Sequence, residues 1–228
     1  MRYRAIVFDL FGTLVDNPPY EEYQEVLRRD AASLSAPVED FMRLWHDTAQ
    51  HRSTGVIPTI EANFALICER LGLSANEAVI AQATRLRNDY IASQVAPRAD
   101  ALTTLAAIRA RGLKIALVSN CGPETPQIWD GLPLKQLFDA TVFSCMAGFA
   151  KPDRRIYEMA LAALKVKAQD CLYVGDGEGN ELAGAAAVGM HPVMISVPYE
   201  EADPRHVAAR QLWDGPYVSS LTEVLALL

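Results

Sequence analysis

The arrangement of apolar and polar positions divides this chain into two kinds of segment. Compact apolar runs bounded by polar residues or glycine are typical of buried strands. Longer segments with apolar residues three or four positions apart are typical of helices that pack one face against a core. The compact runs predict strands at residues 4–9, 114–118, 141–143, 171–174 and 193–196.

The helical segments are distributed unevenly along the chain. From residue 20 to about residue 94 only helical signals occur, whereas strands and helices alternate after residue 97. This alternation predicts an α/β fold with a doubly wound parallel sheet. We expect residues 1–16 and 96–228 to form the α/β core and residues 17–95 to form an inserted α-helical cap domain. Later helices are predicted at 99–111, 154–164, 181–188 and 221–228.

Aromatic and basic side chains within the predicted cap have different expected places. Tyr20, Tyr23 and Trp45 are predicted to belong to the cap interior, because large aromatic side chains are usually mostly buried. Arg28 and Arg52 are predicted to lie on solvated helix faces. The sequence therefore predicts no contact with the substrate for either group.

Composition and charge narrow the classes of partner. The chain has 228 residues, of which 50% are hydrophobic, and this is ample for a core. No apolar run approaches the roughly 20 residues that cross a bilayer, and the N-terminus lacks a signal-peptide pattern. The net charge is -7, and the basic residues are scattered rather than clustered, which argues against binding to nucleic acid. We expect a cytoplasmic protein, monomer or homodimer, with a small-molecule substrate and no nucleic-acid or membrane partner.

The cysteines give a further expectation about the compartment. Cys68, Cys121, Cys145 and Cys171 share no CxxC spacing and lie within or beside apolar segments. Without an export signal, disulfides are uncommon. We therefore expect four reduced and mostly buried thiols.

Polar residues follow the ends of several predicted strands. Asp9 ends the first strand and is followed closely by Gly12 and Thr13, so its carboxylate is at the edge where open α/β sheets bind ligands. Three later segments have a similar position, at a strand end or a helix start. Their chemistry-bearing residues are Ser119 and Asn120, then Lys151 in residues 148–153, then Asp176 and Glu181 in residues 174–182.

In their order and spacing, these four segments resemble the four motifs of the haloacid dehalogenase superfamily. Together with the helical insertion, the resemblance covers nearly the whole chain. It implies a phosphatase in which Asp9 attacks a small phosphorylated metabolite and forms an aspartyl-phosphate intermediate. It also implies that Lys151 balances the charge of Asp9, and that Thr13, Ser119 and Asn120 contact the substrate. The implied magnesium ligands are Asp9, the backbone carbonyl of Phe11 and Asp176, with Glu181 acting behind them or through water.

Electrostatics favour a cation in such a site. Two like unit charges about 4 Å apart repel by about 4 kcal/mol at an effective dielectric constant near 20, and a phosphate dianion doubles this value. Mg²⁺ with oxygen ligands is suited to offset the repulsion. We therefore expect Mg²⁺ as the cofactor.

Phe11 departs from the usual phosphatase pattern, which has a second Asp as general acid and base at this position. General acid–base catalysis typically contributes about 10²- to 10⁴-fold. Phe11 therefore predicts either a substrate whose leaving group needs little protonation, such as an acyl or aryl phosphate, or another residue that supplies the proton. An aromatic residue here also resembles the metal-independent 2-haloacid dehalogenases, in which Asp9 would form an ester intermediate. That branch has a Ser-Ser-Asn type of segment where this chain has Gly175-Asp176. The dehalogenase and a non-catalytic binding relative remain the alternatives.

Overall fold

Six strands form one sheet in the computed structural model, which describes residues 3–197 and 213–228. They are β1 (Ala5–Phe8), β2 (Lys114–Ser119), β3 (Ala140–Phe143), β4 (Cys171–Gly175), β5 (His191–Ile195) and β6 (Tyr217–Val218). Their order across the sheet is β3-β2-β1-β4-β5-β6, and all neighbouring strands are parallel. The predicted parallel α/β fold is therefore confirmed.

The central strand β1 is buried on both faces of the sheet, as its uninterrupted apolar sequence predicts. Side chains alternate across a strand, so Ile6 and Phe8 face one core whereas Ala5 and Val7 face the other. Helix α6 (Ala101–Ala110) covers the first face, and helix α9 (Arg154–Leu164) covers the second. The carboxyl end of β1 is consequently held between two hydrophobic cores, one on each face of the sheet.

Five helices lie between β1 and α6. They are α1 (Tyr20–Ser33), α2 (Val38–Asp47), α3 (Ala49–Ser53), α4 (Ile60–Arg70) and α5 (Glu77–Gln94). Helices α1, α2, α4 and α5 share a separate hydrophobic cluster, in which the rings of Phe41, Trp45 and Phe64 lie about 6 Å apart. The helical block thus has its own core, as the sequence indicates, and its role as a cap domain stays a prediction.

Three short helices complete the described part of the core, and the chain end differs from its prediction. These helices are α7 (Thr125–Asp130), α8 (Ser144–Ala147) and α10 (Glu181–Ala187). A 3₁₀ helix at Thr222–Leu227 replaces the α-helix predicted for 221–228. Strand β6 and helices α7 and α8 were not predicted, because segments of two to six residues are too short to show a hydrophobic period.

Two of the predictions for cap side chains were wrong. Arg52 is only 7% exposed, since its guanidinium group stacks 3.6 Å from the ring centroid of Trp45 and donates a hydrogen bond to the Trp45 carbonyl. Tyr20 is 51% exposed rather than internal. Trp45 and Arg28 are placed as predicted, buried and exposed respectively, and Tyr23 is half-buried. A stacked and hydrogen-bonded arginine has no signature in the helical pattern.

Among residues 3–197 and 213–228, no helix is both long enough and apolar enough to cross a lipid bilayer.

Candidate active site

The pairing of β1 with β4 brings two aspartates to the same edge of the sheet. Phe8 is in register with Val174, so Asp9 and Asp176 both follow the ends of adjacent parallel strands. Glu181 is the first residue of α10, five positions beyond Asp176. All three carboxyl groups are buried, and one oxygen of each lies within 4.8 Å of the others. Oxygen ligands clustered in this way are what a hard divalent cation requires.

The ammonium group of Lys151 lies between two of these carboxylates. Its Nζ donates hydrogen bonds to Asp9 Oδ1 and to Glu181 Oε2, each over 2.5 Å, and to the Tyr173 hydroxyl over 3.2 Å. The side chain of Lys151 is 3% exposed. Because solvent is excluded, both ion pairs are screened far less than surface pairs.

The charges of this cluster are not balanced. Burial raises the pKa of Asp9 to about 7, with Lys151 opposing the rise and Glu181 adding to it. Burial and the neighbouring Glu181 and Asp9 raise the pKa of Asp176 well above its ordinary value. Although burial alone would lower the pKa of Lys151, Asp9 and Glu181 outweigh it and raise that pKa. Three carboxylates with one ammonium ion leave an excess of negative charge that a bound cation would offset.

Hydrogen bonds fix Lys151 and Glu181 from several directions. The Asn120 side chain donates to the Lys151 carbonyl over 3.0 Å and accepts from the Lys151 backbone N–H over 2.8 Å. The Tyr173 hydroxyl donates to Glu181 Oε2 over 2.6 Å, and the Gly177 backbone N–H donates to Glu181 Oε1 over 3.0 Å. Both oxygens of Glu181 therefore already accept hydrogen bonds.

The loop after Asp9 is held by a second set of contacts. The Thr13 hydroxyl donates to Asp9 Oδ2 over 3.3 Å. Arg98, which is buried, donates from Nη2 to the Gly12 carbonyl over 2.6 Å. Asn17 donates to Asp176 Oδ2 over 3.3 Å. The chain immediately before α6 thus grips the loop that carries Asp9.

A cavity of about 180 Å³ opens onto the acidic cluster. Of the eight predicted site residues, six line it, and these are Asp9, Phe11, Asn120, Lys151, Asp176 and Glu181. Thr13 and Ser119 are fully buried and are not among the residues that line this cavity. The Ser119 hydroxyl has no hydrogen-bond partner among the described residues. A buried polar group without a partner is costly, so this hydroxyl is suited to a ligand that supplies an acceptor.

A second hollow adjoins the first and shares Asn120 and Lys151 with it. Its volume is about 520 Å³. Gln50, Ser53 and Thr54, which belong to α3 and the residue after it, line the hollow from the helical block. Polar groups of the insertion therefore lie beside the acidic cavity.

Two glycines leave room for the carboxylates. A Cβ atom on Gly12 would collide with the Asp176 carboxylate, and one on Gly175 would collide with the Glu181 carboxylate. Gly12 also has a φ of +73°, in the left-handed region that side chains disfavour. The carboxylates of Asp176 and Glu181 therefore occupy space that a side chain at position 12 or 175 would fill.

The loss of stability caused by a side chain at position 12 can be measured with a matched pair of variants. Gly112 has a φ of +77° and open space around its Cα, so Gly112→Ala carries the backbone strain alone, about 1 kcal/mol. We expect Gly12→Ala to lower the free energy of unfolding by about 1–3 kcal/mol more, because it adds overpacking. Urea titration of both variants measures the difference. Equal losses would show that the Asp176 carboxylate moves aside freely.

Sequence reasoning missed several residues that hold the site. Tyr173 lies in a buried strand, and its hydroxyl was the available signal, since a phenol in an apolar strand requires a polar partner. Arg98 and Asn17 act on the Asp9 loop and on Asp176 through contacts across long stretches of sequence. No local pattern in the sequence marks such contacts.

Comparison with known proteins gives one family. The sequence model for "Hydrolase: haloacid dehalogenase-like hydrolase" matches residues 3–189. Haloacid dehalogenase-like hydrolase domain-containing protein 3 from Bos taurus is 37% identical over 136 residues, which are 58% of this chain and 53% of that protein. The chain thus spans about half the length of this curated relative. Glyceraldehyde 3-phosphate phosphatase from Methanopyrus kandleri is 28% identical over 213 residues, covering 89% of this chain and 88% of that protein.

Solved structures give a similar result for the fold. The crystal structure of 2-haloacid dehalogenase from Pseudomonas syringae pv. Tomato DC3000 superposes with a TM-score of 0.72 and 21% identity. The superposition covers 99% of this chain and 97% of that one. At this level of identity the likeness shows a shared fold and leaves the reaction open.

Proposed function

Because this chain belongs to the haloacid dehalogenase-like hydrolase family, we propose that it is a Mg²⁺-dependent phosphatase acting on a small phosphorylated metabolite. The observation that carries the proposal is the convergence of Asp9, Asp176 and Glu181, whose oxygens lie within 4.8 Å of one another. Similarity to a glyceraldehyde 3-phosphate phosphatase over 89% of the chain adds support. The cytoplasmic location stays a prediction.

The residues present fit a magnesium ion. Asp9 and Asp176 are the proposed direct ligands, together with the backbone carbonyl of Phe11, which lines the same cavity. Glu181 is proposed to act from behind or through water, because both of its oxygens are engaged by Lys151, Tyr173 and a backbone N–H. When bound, the ion would neutralise charge on the carboxylates and on the phosphoryl group.

The chain's own residues supply the remaining chemistry. We propose that an oxygen of Asp9 attacks phosphorus, the bond between phosphorus and the ester oxygen breaks, and an aspartyl phosphate forms. Water then hydrolyses this intermediate and regenerates the Asp9 carboxylate. Lys151 favours the ionised form of Asp9, and Asn120 positions Lys151. Ser119, whose buried hydroxyl has no partner among the described residues, and Thr13 are proposed to orient the phosphoryl oxygens.

Phe11 limits the range of leaving groups. Phe11 lines the cavity beside Asp9, and its side chain can neither donate nor accept a proton. An alkoxide leaving group would therefore depart unprotonated and slowly, whereas an acyl phosphate or an aryl phosphate has a stable anionic leaving group. We propose a substrate of the second kind.

The Phe11→Asp variant tests this limit. Restoring a carboxyl group at this position is expected to raise kcat on alkyl phosphates by about 10²-fold, with little change on 4-nitrophenyl phosphate, whose leaving group needs no proton. Phe11→Asn is the matched control, since it is similar in size and polarity but cannot exchange a proton. Equal rates for the two variants on alkyl phosphates would count against the proposed role of position 11.

The helical insertion is proposed to act as the cap that sets specificity. Gln50, Ser53 and Thr54 line the hollow that adjoins the acidic cavity, so a substrate body there would meet amide and hydroxyl groups. Closure of such an element over the site would also exclude water. A hydroxylated small molecule fits this lining better than an apolar one.

A metal-independent 2-haloacid dehalogenase is the second candidate. The observation that favours it is the presence of Phe11, and not a second carboxylate, at this position of the cavity lining, because a halide leaves as an anion without a proton. The third carboxylate of the cluster, Asp176, argues against a dehalogenase. Glu181 adds to the raised pKa of the nucleophile Asp9, and Glu181 and Asp9 raise the pKa of Asp176, so ionisation of all three carboxyl groups is unfavourable unless a cation joins them.

A screen of phosphorylated metabolites with Mg²⁺ tests the proposed function. The wild-type protein is expected to release phosphate from a subset of compounds, and Asp9→Asn serves as the blank. Inclusion of acyl, aryl and alkyl phosphates tests the leaving-group preference in the same experiment. No release above the blank from any compound would contradict the phosphatase proposal.

A further inference from the structure

Two cysteines lie side by side at the sheet edge next to the candidate site. The sulfur atoms of Cys121 and Cys145 are 3.8 Å apart. Ser119 at the end of β2 pairs with Phe143 at the end of β3, and each cysteine is two positions beyond its member of this pair. The pairing of β2 with β3 thus brings Cys121, which lies just beyond β2, beside Cys145 in the first turn of α8.

The backbone segments that carry these cysteines leave the ends of two neighbouring strands. Such strands run about 4.8 Å apart, which lies within the range of about 4.4–6.8 Å that separates the Cα atoms of bridged cysteines. A hydrogen bond still joins the two segments beyond the pair of Ser119 and Phe143, since the Cys121 backbone N–H donates to the Ser144 hydroxyl over 3.0 Å. The sulfurs must approach from 3.8 Å to about 2.05 Å, which requires side-chain rotation together with a small movement of the backbone that carries them.

The two sulfurs differ in access and in acidity. Cys145 is half-buried, whereas Cys121 is buried. The contact between the two thiols lowers the pKa of Cys145, while the same contact and burial raise the pKa of Cys121. Cys145 is therefore both the more accessible and the more acidic sulfur, which favours it as the first to react with a solvent-borne oxidant.

We propose that Cys121 and Cys145 form an oxidation site that closes to a disulfide in the presence of a hydroperoxide. The Cys145 thiolate attacks one oxygen of hydrogen peroxide, the O–O bond breaks, and hydroxide leaves with a sulfenic acid on Cys145. The Cys121 sulfur then attacks the sulfenic sulfur, loses its proton and releases water. Both sulfurs are oxidised, and the peroxide supplies the two-electron oxidant.

The bond would strain the candidate active site from one side. Cys121 directly follows Asn120, whose side chain holds the backbone of Lys151. The Cys145 carbonyl abuts Gly55 of the helical insertion, where an added Cβ would collide with it. Drawing the sulfurs together shifts the Asn120 loop, so we expect reversible loss of hydrolase activity. Formation of the bond does not depend on the proposed phosphatase function, whereas the effect on activity does.

Peptide mapping of the full chain tests the proposal directly. Trypsin cleaves after Lys and Arg, so Cys121 falls in residues 115–135 and Cys145 in residues 136–154, while Cys68 and Cys171 fall in two other peptides. After treatment with hydrogen peroxide and blocking of free thiols, we expect free thiols to fall from four to two. The first two peptides should appear linked, two hydrogen masses below their sum. Dithiothreitol should restore all four thiols. Oxidation of the exposed Met146 adds an oxygen instead and is therefore distinguishable.

Single variants separate this pair from general oxidation. Cys68→Ser is expected to form the same linked peptide, whereas Cys121→Ser and Cys145→Ser should not form it. Retention of four free thiols at a peroxide concentration that oxidises Met146 would overturn the proposal. Linkage involving Cys68 or Cys171, or conversion of Cys145 to sulfinic acid without linkage, would overturn it as well. Because these readouts are masses and thiol counts, they remain valid if the phosphatase proposal fails.

Discussion

The Asp9→Asn variant is expected to lose hydrolysis of 4-nitrophenyl phosphate by about 10⁴-fold or more, the scale on which removal of a catalytic nucleophile acts. An amide cannot attack phosphorus as a carboxylate does. The fold should survive the change, because Lys151 keeps its ion pair with Glu181 and the buried ammonium group is not left alone. Steady-state kinetics with Mg²⁺ and a thermal melt of the same sample measure both effects.

A buried carboxylate outside the site provides the matched control. Asp30 in α1 is 3% exposed and pairs with Arg87 over 2.6 Å, so Asp30→Asn breaks a buried ion pair of similar environment. Because Arg87 keeps an ion pair with Glu124 over 3.6 Å, we expect this variant to lose about 1–3 kcal/mol of unfolding free energy while the folded fraction keeps its kcat. A fall in kcat of similar size in both variants would show that Asp9 matters through stability and not through chemistry.

The Asp176→Asn variant is expected to abolish the stabilisation of this protein by Mg²⁺. A ligand present at 100 times its Kd stabilises the folded state by about 2.7 kcal/mol, which corresponds to a rise in Tm of roughly 5–10 °C for a chain of this length. Removing a proposed ligand removes that rise. Differential scanning calorimetry with Mg²⁺ and with EDTA provides the measurement.

The same variant has a second signature without the metal. Burial and like charges raise the pKa of Asp176, so its ionised form opposes folding at neutral pH. We therefore expect Asp176→Asn to melt at a higher temperature than the wild-type protein in EDTA. Asp30→Asn, which leaves the acidic cluster intact, should keep the response to Mg²⁺. Retention of the full response by Asp176→Asn would contradict the proposed metal site.

Much of the fold and the acidic cluster could be predicted because both follow local rules. A buried parallel strand appears as a continuous apolar run, and the polar residue at its end must lie at the ligand edge of the sheet. Asp9 and Asp176 are found in this way, and the structure brings them together with Glu181. The position of Lys151 between Asp9 and Glu181 agrees with the charge-balancing role that the family resemblance implies.

The remaining features depend on contacts that no local pattern encodes. Arg98 binds the carbonyl of Gly12 across 86 positions of sequence, and the phenol of Tyr173 is indistinguishable from core until its partner Glu181 is placed. Arg52 was assigned to a solvated face, yet stacking on Trp45 buries it. In each case tertiary packing decides the environment after the local structure is fixed.

Two reactions followed on one preparation of the wild-type protein distinguish a magnesium-dependent phosphatase from a dehalogenase. Phosphate release from 4-nitrophenyl phosphate and chloride release from 2-chloropropionate are each followed with Mg²⁺ and with EDTA. We expect phosphate release that requires Mg²⁺ and disappears in EDTA, with no chloride release in either condition. Chloride release that persists in EDTA, without phosphate release, would contradict the claim that Asp9, Asp176 and Glu181 form a magnesium-dependent phosphatase site.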